Sequence, residues 1–96
     1  MDKCNVSLQI IPLVPSEKIY QTVDKVIEMI DATGVKYLVG PMETTMEGEL
    51  DELLEIVKKA QQICLDEGAE RVLSMIKIDY APGGVTIDEK IGKYNK

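Results

Sequence analysis

Carboxylates and hydroxyls alternate with apolar side chains in one short run near the middle of the chain, VGPMETTMEGELDE, from Val39 to Glu52. On an extended strand, successive side chains point to opposite faces. The run would then have two unlike faces: Glu43, Thr45 and Glu47 on one, and Met42, Thr44 and Met46 on the other. Carboxylates accept hydrogen bonds from ring N–H and amino groups, and hydroxyls both donate and accept. The pattern therefore indicates the floor of a pocket for a flat, polar ring, with methionines as adaptable walls.

Two other interpretations of this run remain open. Glu and Thr on a hairpin strand often simply face water. Catalysis by paired carboxylates is disfavoured, because Glu43 and Glu47 would lie roughly 13 Å apart at ~3.3 Å per residue, beyond the ~5–9.5 Å seen in glycosidases. An enzyme that uses Glu47 as a general base is a minor alternative, since no second catalytic group stands at a usable spacing. We therefore expect no catalytic residue.

Composition limits the partners and the compartment. The chain has 96 residues, which predicts one domain over residues 1–96, and 17 acidic against 11 basic residues give a net charge of −6. This balance argues against nucleic acid and anionic membranes as partners and is compatible with a cationic ligand. It also fits an acidic surface that serves solubility alone.

Histidine is absent, which excludes Ser-His-Asp and Cys-His centres and His-ligated zinc. We expect no metal and no cofactor other than a bound ligand. Cys4 and Cys64 make no metal-type spacing and are expected to be reduced thiols. Neither a signal peptide nor a run of ~18 apolar residues is recognisable, so the sequence predicts a cytoplasmic protein.

Periodicity divides the chain into seven elements. The predicted strands are Cys4 to Leu13, Val35 to Val39, Met42 to Glu47 and Glu70 to Tyr80. The predicted helices run from Ser16, as N-cap, to Ala32, from Glu49 to a stop at Gly68, and from a capping box at Thr86–Glu89 to Tyr94. Gly40-Pro41 makes the second and third strands a hairpin, with one long bent strand as the alternative.

The order β-α-β-β-α-β predicts an α+β fold, the ferredoxin-like sandwich, with an antiparallel sheet and a short C-terminal helix. Both long helices would cover one face of the sheet. The other face would carry apolar and polar side chains together: Ile11, Leu73 and Met75 beside Ser7, Gln9 and Lys77. Such a face is too apolar to stay wet, which favours a second subunit as its cover. Shielding by side chains of the same subunit is the alternative.

Two motifs carry a family resemblance. The first is P-M-x-T-x-x-E-G from Pro41 to Gly48, and the second is R-V-x-x-x-I-K-I-D from Arg71 to Asp79. Together they resemble the thiamine-binding domain family, over a stretch from Asn5 to about Tyr80. The resemblance implies a ferredoxin-like fold that assembles through its sheets into a homo-oligomer, a dimer of dimers. It also implies a pocket for thiamine or its hydroxymethylpyrimidine portion, with no chemistry done on the ligand.

The predicted ligand-binding residues come from the resemblance and from the face assignment. Thr44 and Glu47 match the family motif, whereas Ser7 and Gln9 are placed by the polar face of the first strand. Met42 and Thr45 complete the set. Thr44 would join the polar face only if a bulge interrupted the strand near Thr44-Thr45. The alternative function is an oligomeric regulatory or interaction module without a thiamine-type ligand.

Overall fold

Strands and helices follow one another in the predicted order in the computed structural model, which describes residues 2–94. The strands are β1 (Cys4–Pro12), β2 (Lys36–Val39), β3 (Thr44–Gly48) and β4 (Val72–Asp79). The helices are α1 (Ile19–Thr33), α2 (Leu50–Asp66) and α3 (Ile87–Ile91), and a 3-10 turn (Ser16–Lys18) precedes α1. None of the helices within residues 2–94 is both long enough and apolar enough to cross a membrane.

The strands form one four-stranded antiparallel sheet in the order β2-β3-β1-β4. This is the ferredoxin-like arrangement, so the predicted fold class is confirmed. The hairpin is also confirmed, because β2 pairs with β3 from Val39 opposite Thr44. Its turn is closed by the Gly40 N–H, which donates to the Glu43 carbonyl at 2.8 Å. One long bent strand is therefore wrong.

Helices α1 and α2 cover one face of the sheet and form the core with it. The sheet contributes Val6, Leu8 and Met46, none more than 3% exposed. Val26 and Ile30 of α1 and the apolar stripe of α2 pack against them. The 3.6-residue period that marked both helices in the sequence thus corresponds to the faces they bury.

Helix ends follow local chemistry in most places. Gly34 ends α1 with a φ of 82°, a left-handed conformation that glycine adopts at little cost. Ser16 is not the α1 N-cap, because a 3-10 turn intervenes and Lys18 takes that position. The Thr86 hydroxyl accepts from the Glu89 N–H at 3.1 Å and donates to the Glu89 carboxylate at 2.8 Å, so Thr86 is the N-cap that the sequence predicted. The helix it starts, α3, ends at Ile91 rather than Tyr94.

The second face of the sheet, which we call the open face, is uncovered over much of its area. Leu73 and Met75 of β4 are 49% and 50% exposed. Shielding of these two side chains within one subunit is therefore wrong. Among the helices of residues 2–94, α3 is the one that crosses this face, at the end where β1, β3 and β4 carry polar side chains. The open face therefore has an apolar end, at Leu73 and Met75, and a polar end that α3 partly covers.

Candidate functional site

A cavity of about 290 Å³ lies between the open face and α3. All four strands and α3 contribute to its walls. The lining residues are Asn5, Ser7, Leu38, Thr45, Lys77, Ile78, Asp79, Ile87, Lys90 and Ile91. We call this space the open-face cavity. Ligand pockets in proteins combine apolar walls with a few placed polar groups, and this lining has that character.

Strand register places the polar groups in two rows across the sheet. Residues directly opposite each other on neighbouring strands share a face. One row is Leu38, Thr45, Ser7 and Lys77, and the other is Lys36, Glu47, Asn5 and Asp79. In the first row the Ser7 and Thr45 hydroxyls lie 2.8 Å apart and are hydrogen-bonded. The first row thus supplies a hydroxyl pair on the cavity floor.

The second row holds α3 against the sheet. Glu47 Oε1 accepts from the Ile87 N–H at 2.7 Å, at the first turn of α3. Lys36 Nζ and Asp88 Oδ2 form an ion pair at 2.6 Å. This hydrogen bond to Asp88 raises the pKa of Lys36, which keeps the ammonium charged. Because α3 is one wall of the open-face cavity, the contacts of the second row with α3 hold that wall in place.

Both lysines of the cavity are neutralised by carboxylates. Lys90 Nζ lies 2.7 Å from Asp79 Oδ2. Lys77 Nζ lies 3.4 Å from Glu43 Oε1, in the β2–β3 turn. Each positive charge therefore has a nearby negative partner, and the cavity suits an uncharged polar ring better than a strongly charged group.

The predicted binding residues do not all meet at this cavity. Ser7 and Thr45 line it, and Glu47 reaches α3. The other three, Gln9, Met42 and Thr44, line a separate depression of about 280 Å³ beside α1 and the β2–β3 turn. Gln9 lies beyond the last β1–β3 pair, Leu8 opposite Thr44.

Strict alternation along β3 explains why Thr44 is separated from Thr45 and Glu47. The β1–β3 pairing is continuous through Thr44 and Thr45, so no bulge brings Thr44 onto the polar face. Thr44 is 8% exposed and Met46 is fully buried, both on the helix side. Met42 belongs to the turn and is 73% exposed, so it does not share the buried face of Thr44 and Met46.

Asn5 is a cavity residue that the predicted set omitted. It is 3% exposed, and its Oδ1 accepts from Lys90 Nζ at 2.7 Å. Its Nδ2 is buried and has no hydrogen-bond partner within residues 2–94. The alternation that placed Ser7 on the open face places Asn5 there too, so the sequence did carry a signal. The contribution of Lys90 has no comparable signal, because it depends on how α3 folds back.

A small cavity lined by apolar and polar side chains, on one sheet face of an α+β sandwich, is typical of proteins that bind small molecules. Comparison with known proteins specifies the class further. The chain belongs to the thiamine-binding protein family, whose profile matches residues 6–95. This membership confirms the family resemblance.

Relatives and solved structures agree with this assignment. A UPF0045 protein of Clostridium perfringens is 68% identical over 94 residues, which is 98% of this chain and 99% of the relative. A Bacillus cereus domain of unknown function, DUF77, superposes with a TM-score of 0.91 at 52% identity, covering 98% of this chain and 91% of that one. A Thermotoga maritima structure, described as that of a candidate thiamine biosynthesis/salvage protein, gives a TM-score of 0.88 at 39% identity over 97% and 99% of the two chains.

Proposed function

We propose that this protein binds thiamine or its hydroxymethylpyrimidine portion, without catalysis, in the open-face cavity of a homo-oligomer. The observation that carries the proposal is the cavity itself. It combines the Ser7–Thr45 hydroxyl pair with apolar walls and compensated charges, in a chain of the thiamine-binding protein family. The Thermotoga maritima relative, described in terms of thiamine biosynthesis or salvage, supports the same ligand class.

Cavity size favours the pyrimidine as the part that enters. Drug-sized ligands occupy pockets of roughly 300–1,000 Å³. The open-face cavity, at about 290 Å³, is at the small end of that range and suits a single substituted ring. The pyrimidine is the uncharged ring of thiamine. It suits a cavity in which both lysines are already paired with carboxylates. The cationic thiazolium would then lie outside, in the acidic surroundings of a chain with a net charge of −6.

A second copy of the chain is the proposed cover of the open face. Leu73 and Met75 are half exposed there, and apolar surface of this kind is stabilised by burial in an interface. A dimer of dimers formed through the sheets would bury it. The proposed location is the cytoplasm.

Calorimetry with thiamine and with hydroxymethylpyrimidine tests the proposal. We expect both to bind wild-type protein, and the double variant Ser7→Ala/Thr45→Val to bind them more weakly at unchanged thermal stability. Sedimentation at dilute native conditions should show an oligomer. No heat and no thermal shift at millimolar concentrations of either compound would refute the binding proposal.

The competing function is an interaction module without a thiamine-type ligand. It is favoured by the apolar exposure of β4 on both of its faces, since Ile76 on the helix side is also 40% exposed. Oligomers without measurable ligand binding would support it. An enzyme with Glu47 as base is disfavoured, because one Glu47 oxygen accepts from the backbone of α3.

A further inference from the structure

Asn5 belongs to the lining of the open-face cavity, and only one end of its carboxamide has a hydrogen-bond partner within residues 2–94. Its oxygen accepts from Lys90 Nζ at 2.7 Å. An ammonium has only donors, so it can face the amide oxygen and not the NH₂ group. The contact therefore fixes the orientation of the carboxamide. Its two N–H donors are left buried and without a partner within residues 2–94.

Lys90 is itself held in place from the sheet. Its ammonium lies 2.7 Å from Asp79 Oδ2, and Asp79 stands opposite Asn5 on β4. Asn5 is on a central strand between β3 and β4, so its backbone is paired on both sides. A buried donor without a partner is costly in a folded protein. A ligand atom with a free lone pair would remove that cost.

We propose that Asn5 is a specificity-determining residue that donates from Nδ2 to an acceptor nitrogen on the ligand ring, with Lys90 as its positioning residue. The inference rests on the proposed function and specifies its recognition chemistry. In an aminopyrimidine, a ring nitrogen with a free lone pair lies beside the exocyclic amino group. That nitrogen suits the Asn5 donor, and the Ser7 and Thr45 hydroxyls on the same floor can accept from the amino group.

The arrangement predicts discrimination between two similar rings. When an oxo group replaces the amino group, the adjacent ring nitrogen carries a hydrogen and becomes a donor. Two donors would then face each other at Asn5, and a site built around one hydrogen-bond pattern rejects the opposite pattern strongly. We expect wild-type protein to bind the amino compound with an affinity at least about tenfold higher than the oxo compound, because polar sites discriminate against ligands with mismatched hydrogen-bonding groups.

Calorimetry with hydroxymethylpyrimidine and with its oxo analogue tests the inference on the full chain. Asn5→Asp replaces the donor by an acceptor of the same shape, so we expect the amino-to-oxo affinity ratio to fall by about tenfold or more. Lys90→Met leaves the Asn5 carboxamide free to rotate, so the amino-to-oxo affinity ratio should fall in this variant as well. Gln21→Glu makes the same amide-to-carboxylate change on the exposed surface of α1 and should leave the ratio unchanged.

The outcomes separate the inference from the proposed function. Wild-type protein that binds neither pyrimidine refutes the proposed function, and the inference falls with it. If wild-type protein binds hydroxymethylpyrimidine and Asn5→Asp keeps the wild-type amino-to-oxo affinity ratio, the inference is overturned and the proposed function stands. If circular dichroism shows that Asn5→Asp is unfolded, the amino-to-oxo affinity ratio of Lys90→Met decides. A ratio below that of wild type supports the inference, and an unchanged ratio overturns it.

Discussion

Removal of the Glu47 carboxylate tests how α3 is held over the open face. In Glu47→Ala, the Ile87 N–H loses an acceptor that lies 2.7 Å away. A hydrogen bond to a charged group contributes about 1.5–3 kcal/mol. Because 1.4 kcal/mol corresponds to tenfold in an equilibrium, local opening of α3 should become about ten- to a hundredfold more frequent. Hydrogen exchange at the Ile87 amide, followed by NMR, measures this directly.

Glu43→Ala is the matched control for this experiment. Glu43 is the other carboxylate of the same polar run, and its partner is Lys77 at 3.4 Å rather than α3. Exposed ion pairs contribute about 0–1 kcal/mol, so Ile87 exchange should stay at the wild-type rate. Glu47→Gln keeps an uncharged acceptor and should fall between alanine and wild type. Equal Ile87 protection in Glu47→Ala and wild type would refute the assignment of Glu47 as the α3 anchor.

Three further predictions concern the core and its thiols. Burial raises the pKa of Cys64, and burial together with the Asp79 charge raises the pKa of Cys4. Both thiols should therefore react with iodoacetamide only as fast as the protein opens, and mass spectrometry of the alkylated protein measures this rate. A group whose pKa is raised on folding stabilises the native state below its ordinary pKa, and this stabilisation is lost as pH rises through the pKa of the folded state. The unfolding free energy measured by urea titration should therefore fall above about pH 9, the ordinary pKa of a thiol. An unfolding free energy that stays constant across this pH range would contradict the prediction. Met46→Ala should cost about 2–5 kcal/mol, whereas Met42→Ala, at a side chain that is 73% exposed, should cost little; equal costs would contradict the face assignment.

Local patterns predicted the elements because each element is encoded by residues close together in sequence. The apolar stripe of α2, from Leu53 to Cys64, is legible in one window and is the face the helix buries. Gly34 marked the end of α1 through its own backbone freedom. The order of elements then left few topologies, and the ferredoxin-like sheet is the one observed.

The site was harder to predict, because its decisive contacts join distant parts of the chain. Glu47 meets Ile87 40 positions away, and Asn5 meets Lys90 85 positions away. No periodicity encodes such pairs. Alternation also misplaced Met42, because the pattern was extended through a turn that occupies positions 40–43 and has no strand faces. Alternation was reliable inside β3, where Thr45 lies on the open face and Thr44 and Met46 on the helix side.

The two ends of the open face connect the proposed ligand to the proposed assembly. A second copy that covers Leu73 and Met75 would bury the apolar end without displacing α3 from the polar end. Since the open-face cavity, at about 290 Å³, suits one ring, the second ring of thiamine would lie at its mouth, beside the incoming copy. Under the proposed function, thiamine should then gain affinity from assembly, whereas hydroxymethylpyrimidine, held inside one subunit, should not. The dependence of each affinity on protein concentration therefore reports whether the neighbouring copy completes the site.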